Sequence, residues 1–164
     1  MSRSKRIIGV ILLAFTISVG WGCAKKPASN GEATATQTPY YAFQGIRAGV
    51  DWGTARSVLG DPENEIQEDA TSTTYTYPHF MVMTAKQGSR EIVSVIRLRN
   101  SYIETANGSI VGDSKETIIK NEGKDFVTDS IGNLIYIKED TTLRFVLDMD
   151  GVVTAIEYGG ISEE

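Results

Sequence analysis

A single histidine and a single cysteine bound the side-chain chemistry open to this 164-residue chain. One histidine excludes a paired-imidazole zinc site such as His-Glu-x-x-His. One cysteine excludes an internal disulfide framework and any cysteine-rich zinc site. As a general base, His79 would need a nucleophile beside it and a carboxylate to orient it. The chain has no Gly-x-Ser-x-Gly elbow, and its lone thiol, Cys23, lies in a segment with another use. His79 follows Pro78 at the start of a strand and reads as a solvent-facing residue. Asp148-Met149-Asp150-Gly151 begins like a calcium loop, but such a loop needs further oxygen ligands and a closing glutamate. A strand starts at Val152 instead, so these four residues read as a hairpin turn. Carboxylates are plentiful, yet none stand out as a hydrolase pair. The expectation is a non-catalytic chain with no metal and no cofactor.

The chemistry that the pattern does support is acylation of Cys23. Arg3, Lys5 and Arg6 precede a mostly apolar run from Ile7 to Val19. Thirteen residues suit a signal-peptide core and fall short of the roughly 20 that span a bilayer. Gly20-Trp21-Gly22 then leads into Cys23, which looks like a bacterial lipoprotein signal cut before a cysteine whose thiol takes a diacylglycerol. Gly20 stands where leucine is usual, and Trp21 is bulky for its place. An uncleaved membrane anchor and an ordinary secreted protein are the alternatives. All three put the remaining chain outside the cytoplasm, in the first case as a membrane-anchored lipoprotein of a bacterial cell envelope.

Residues 1–22 therefore read as a signal peptide. Residues 23–39 read as the lipidated cysteine and a flexible tether, rich in Ala, Thr, Ser, Gly and Pro and too polar to order itself. Removing residues 1–22 takes three of the 16 basic residues and none of the 21 acidic ones, leaving a net charge of −8. That sign argues against nucleic acid as a partner, since phosphate binding needs clustered Lys and Arg. Lys25 and Lys26 are too few to hold a membrane alone.

Residues 40–164 read as one globular domain built from an internal duplication. At an offset of 63, Gly45, Gly49, Gly60 and Gly88 meet Gly108, Gly112, Gly123 and Gly151. Past the last glycine the offset becomes 60, and Val93–Leu98 lies over Val153–Tyr158. Repeat one spans 43–100 and repeat two 101–160. In each, a capping residue (Asp51 or Ser114) opens a short helix that a glycine ends. Trp52, Ala55, Val58 and Leu59 give the first helix one apolar face. Three strands follow in each half: near 73–77, 80–86 and 92–99, then 134–138, 142–147 and 152–158. The expected class is α+β, two tandem units of a helix plus a three-stranded antiparallel meander, with the helices on one face of the sheet.

The run Gly49-Val50-Asp51-Trp52-Gly53-Thr54-Ala55-Arg56-Ser57-Val58-Leu59-Gly60-Asp61-Pro62 is similar to the opening of the SmpA/OmlA/BamE small lipoprotein family. Repeat two keeps the glycines and the cap but has Glu122 and Asp125 where Leu and Pro are expected. The tandem arrangement resembles the β-lactamase-inhibitor-protein-like fold, over residues 43–160. The resemblance implies a non-catalytic module that binds other proteins at the cell envelope.

The repeat match assigns Phe80 and Val82 to the core with Leu143 and Phe145. Met81 and Met83 then share the other face with Arg144 and Val146, and Val93, Val95, Arg97 and Arg99 join them from the next strand. A Met/Val/Arg patch on an uncovered sheet face marks a partner surface. The expected function is protein binding or scaffolding by a lipid-anchored envelope lipoprotein, with a partner of unknown identity. The alternative is an inhibitor of an envelope or secreted enzyme, using a hairpin tip at Gln87–Arg90 or Asp148–Gly151.

Overall fold

A computed structural model describes residues 39–161; the segment read as a signal peptide, Cys23 and nearly all of the segment read as a tether lie outside the described residues. Two eight-residue helices, α1 (Trp52–Leu59) and α2 (Lys115–Glu122), each precede four strands. Those after α1 are β1 (Asn64–Gln67), β2 (Ser72–Thr76), β3 (Phe80–Gln87) and β4 (Arg90–Leu98). Those after α2 are β5 (Val127–Thr128), β6 (Leu134–Lys138), β7 (Thr141–Leu147) and β8 (Val153–Gly160). All eight form one antiparallel sheet in the order β1-β2-β3-β4-β8-β7-β6-β5. Among the described residues no helix is long and apolar enough to cross a membrane.

This corrects the expected fold class. The architecture is one eight-stranded sheet with two short helices, not two helix-plus-three-strand repeats. The strands missed in sequence are β1 and β5, the outermost ones. Every residue of Asn64–Gln67 and both residues of Val127–Thr128 are exposed. An edge strand with no buried face shows no alternation of apolar and polar residues, and short polar edges also discourage pairing with another chain. The two halves merge where β4 pairs with β8, through Val95↔Gly159, Ile96↔Tyr158, Arg97↔Glu157 and Leu98↔Ile156.

Both helices are set by their ends. The Asp51 carboxylate accepts from the Thr54 amide, and the Ser114 hydroxyl accepts from the Thr117 amide, each at 3.3 Å. Gly60 and Gly123 end the helices at φ 83°, ψ −170° and φ 100°, ψ −172°, a region open essentially to glycine alone. The carbonyls there accept from tyrosine hydroxyls one strand away: Tyr77 to Gly60 at 2.8 Å and Tyr136 to Gly123 at 2.9 Å. Each bond ties a helix end to the sheet and satisfies a carbonyl that the helix leaves orphaned.

One core cluster holds Trp52, Ala55 and Ile118 from the helices with Val82, Val93, Ile96, Leu98, Phe145 and Ile156 from the sheet. Trp52 stacks on Tyr75 at 4.0 Å between ring centroids, and Tyr77 on Phe80 at 4.4 Å.

Val93 belongs to this core, with no exposed surface, and not to the open face where the sequence put it. A bulge is the reason. In the β3–β4 register Met83 pairs with Val95 but Thr84 pairs with Val93, so Ser94 is an extra residue. The extra residue reverses the alternation and turns Val93 inward. The second half repeats the device: Val146 pairs with Ala155 and Leu147 with Val153, leaving Thr154 over. The Ser94 hydroxyl donates to the Met83 carbonyl at 2.8 Å and the Thr154 hydroxyl to the Val146 carbonyl at 3.2 Å. The bulges also release backbone groups that grip the helix entries. Gly49 and Gly112 donate to the carbonyls of Val93 and Val153, both at 2.8 Å. The amides of Val93 and Val153 donate to Val50 and Asp113 at 2.8 and 2.9 Å.

Val93→Asp therefore places an unpaired carboxylate in the core and is expected to cost about 4 kcal/mol or more of stability. Val95→Asp, two residues on and facing outward, is expected to change stability by about 1 kcal/mol or less. Urea unfolding of the two variants measures the difference, and equal losses would contradict the bulged register.

Candidate functional site

The face of the sheet turned away from the helices is built by strict alternation, and its residues fall into rows across the strands. One row runs Asn64, Thr76, Met81, Arg97, Glu157, Arg144, Ile135 and Val127. The next runs Ile66, Thr74, Met83, Val95, Gly159, Thr142 and Ile137. Met81, Met83, Val95 and Arg97 thus come together as the sequence expected, all half-buried. Val93 does not join them. Arg99 lies just beyond β4, exposed, with its amide on the His79 carbonyl at 3.3 Å and its guanidinium 3.4 Å from the Tyr77 carbonyl. On the outer strands Ile66, Ile137 and Val127 are 48%, 49% and 53% exposed.

The centre of the face is a chain of alternating charges. Arg97 Nε lies 3.4 Å from Glu157. Arg144 donates to Glu157 at 3.5 Å and to Asp129, in the β5–β6 turn, at 2.5 Å. Glu157 is 14% exposed on its side chain, and Arg144 Nε is buried without a hydrogen-bond partner. Cross-strand pairs of this kind contribute a few tenths to about 1 kcal/mol each. Their larger effect is to neutralise the middle of the face and hold its charged groups in fixed positions.

Asp129 is the hub of its turn. Burial by itself raises its pKa. The hydrogen bonds from the Asn133 side chain and amide, from Arg144 and from the Ile131 amide outweigh that and hold the carboxyl at about 2.

Sequence reasoning missed Glu157 and Asp129. The signal for Glu157 was present, since the repeat match lays Arg97 directly over it. Opposite charges at equivalent positions become neighbours once β4 and β8 pair. Nothing in the sequence marks Asp129 as a partner of Arg144, because the turn that carries it follows the edge strand β5.

The remaining titratable groups with defined partners are engaged in structure. Glu91 accepts from the Thr84 hydroxyl at 2.5 Å and the Tyr75 hydroxyl at 3.0 Å. Burial, and then that carboxylate, push the Tyr75 phenol up to about 12, so it remains a donor. Glu122 accepts from Thr105 and Asn107, both at 2.6 Å. Asp148 accepts from the amides of Asp150 and Val152 at 3.0 and 2.9 Å, which makes it a turn residue. His79 shares its Nδ1 with the Asn100 side-chain amide at 3.1 Å and lies against the Tyr102 ring. Among the described residues no group of three or more His, Cys, Asp or Glu is placed to hold a metal ion.

Comparison with protein-family models and with curated proteins finds no match. Among solved structures, the chain is similar to a DUF4309 family protein (YjgB) from Bacillus subtilis. The two are 16% identical with a TM-score of 0.46, over 69% of this chain and 80% of that one. It is also similar to an extracellular protein containing a SCP domain from Bacillus anthracis. That pair is 10% identical with a TM-score of 0.51, over 88% of this chain. Here the chain spans 50% of the length of its neighbour. The second likeness is one of fold alone, and neither structure points to the SmpA/OmlA/BamE family or to a β-lactamase inhibitor by its description.

The low pKa of Asp129 sets a pH dependence. An ordinary aspartate titrates near 3.9. The contribution of Asp129 to stability is therefore complete above about pH 4 and is lost as the pH falls toward about 2. Asp129→Asn is expected to lower stability at pH 7 and to flatten its decline between pH 4 and 2. Denaturant midpoints at those three pH values measure this, and an unchanged acid slope would remove Asp129 from the account.

Proposed function

We propose that this chain is a non-catalytic, lipid-anchored protein of the bacterial envelope that binds another protein through the open face of its sheet. The observation that supports it most is the half-buried Met81, Met83 and Val95 cluster beside the paired Arg97, Glu157 and Arg144. Apolar groups flanking a row of fixed, paired charges suit recognition, and methionine adapts to the shape of a partner. The signal-like N-terminus and Cys23 support an extracytoplasmic, membrane-anchored location. The Bacillus anthracis neighbour, described as extracellular, is consistent with that side of the membrane.

In-cell crosslinking of the full-length chain, with intact-mass analysis of the same sample, tests both parts. The expected outcome is a diacylglycerol-modified mass, absent in Cys23→Ala, and a defined crosslinked protein, lost in Met81→Glu/Met83→Glu while the fold is retained. Undiminished crosslinking in the double variant would discard this face, and an unmodified mass would discard the anchor.

A second reading, inhibition of an envelope or secreted enzyme by a hairpin tip, draws on Met149. It stands fully exposed at the tip between β7 and β8, in a turn that Asp148 holds. Under that reading Met149→Asp relieves inhibition of a β-lactamase or envelope protease by at least tenfold. No inhibition by the unsubstituted protein would remove the reading.

A further inference from the structure

Asn107 and Gly108 form an exposed Asn-Gly pair in the turn that precedes α2. This dipeptide carries a reaction of its own. The Gly108 backbone nitrogen, once it loses its proton, attacks Cγ of Asn107. A C–N bond forms, the Cγ–Nδ2 bond breaks, and Nδ2 leaves as ammonia, closing a five-membered succinimide. Water then opens either C–N bond of the ring and gives aspartate or isoaspartate. Glycine favours the attack because it has no side chain and adopts many backbone conformations.

The fold holds both reacting groups away from that course. The Gly108 amide donates to the Thr105 carbonyl at 3.0 Å, and Asn107 Nδ2 donates to Glu122 at 2.6 Å. The other oxygen of Glu122 accepts from the buried Thr105 hydroxyl at 2.6 Å. That hydroxyl in turn accepts from the Ser109 amide at 3.1 Å, and the Thr105 amide donates to the Ser109 carbonyl at 2.9 Å. Glu122 is the last residue of α2, so one carboxylate ties the helix end to the turn and holds the labile amide.

The first half of the chain shows what is particular to the second. At the offset of 63, Gln44-Gly45 stands at Asn107-Gly108 and Leu59 at Glu122. Glutamine would have to close a six-membered ring, a far slower reaction, and Leu59 has no oxygen to offer. The labile amide and the carboxylate that grips it therefore occur together, and in one half only.

We propose that Asn107 is a deamidation site and that Glu122 restrains it. Conversion reverses the contact. The new carboxylate at position 107 has no hydrogen to donate and stands against Glu122 as a like charge. Isoaspartate also lengthens the backbone of the turn by one carbon. The tie between the end of α2 and the turn becomes a repulsion, and the change is covalent and permanent. None of this depends on what the open face binds.

The test incubates the full-length chain in detergent at mildly alkaline pH, folded and in urea. Peptide mapping then follows Asn107 separately from Asn30, which also precedes a glycine. The expected result is conversion at position 107 at least tenfold slower in the folded chain, because attack must wait for local opening. Glu122→Ala is expected to raise the folded rate at least fivefold, with Glu122→Gln, which keeps one acceptor, in between. Near-ultraviolet circular dichroism verifies the fold of each variant, and Glu122→Gln carries the test if Glu122→Ala unfolds. Asn107→Asp is expected to speed hydrogen exchange at the Ser109 amide by at least tenfold. No aspartate or isoaspartate at position 107 in urea would overturn the site. Equal rates folded and unfolded would overturn the restraint, and a folded Glu122 variant with an unchanged rate would overturn the role of Glu122. Unchanged exchange at Ser109 would overturn the loosening.

Discussion

Four residue pairs between β4 and β8 hold the architecture together. Val95 to Leu98 and Ile156 to Gly159 are the only strand pairing between the two halves among the described residues. Without it each half is a small four-stranded sheet with an eight-residue helix, too little to enclose a core. With it, Ile96, Leu98, Ile156 and Tyr158 lie side by side, and residues from both helices reach one cluster. The central position also protects this pairing, because both strands are flanked by others and neither presents an edge to solvent.

The bulges at Ser94 and Thr154 determine how the helices meet that sheet. Each extra residue satisfies itself by a hydroxyl bond to the strand opposite, and the next backbone groups turn to the segment that enters the helix. Helix position is thus fixed by main-chain hydrogen bonds at one end and by a tyrosine hydroxyl at the other. Eight-residue helices have little stability of their own, so such anchoring and the buried Trp52, Ala55 and Ile118 keep them in place.

The same pairing creates the open face. It sets Arg97 beside Glu157 and, through β7, Glu157 beside Arg144, so the charges in the middle of the sheet neutralise one another. The apolar groups are left on either side, with Met81, Met83 and Val95 in one half and Ile135, Ile137 and Val146 in the other. A face of this composition is neither a polar solvent surface nor a closed core. Its paired charges and flanking apolar groups are what a protein partner would meet.

The sequence by itself determined what is local. Asp51, Ser114, Gly60 and Gly123 announced both helices, because caps and terminating glycines act within a few residues of the chain. The match of Phe80 and Val82 to Leu143 and Phe145 placed the inward and outward residues of β3, because alternation along a strand is also local. Tertiary structure alone decided what depends on distant partners. β1 and β5 exist because a neighbouring strand offers an edge, and nothing in Asn64–Gln67 or Val127–Thr128 encodes burial. Val93 faces inward because Ser94 is surplus to the β3 register, a mismatch that alternation along one strand cannot reveal. Glu157 and Asp129 joined the face only once β8 and the β5–β6 turn were folded against Arg97 and Arg144. A side chain's own type fixes its preferences, but its neighbours across a sheet are set by strand order and register.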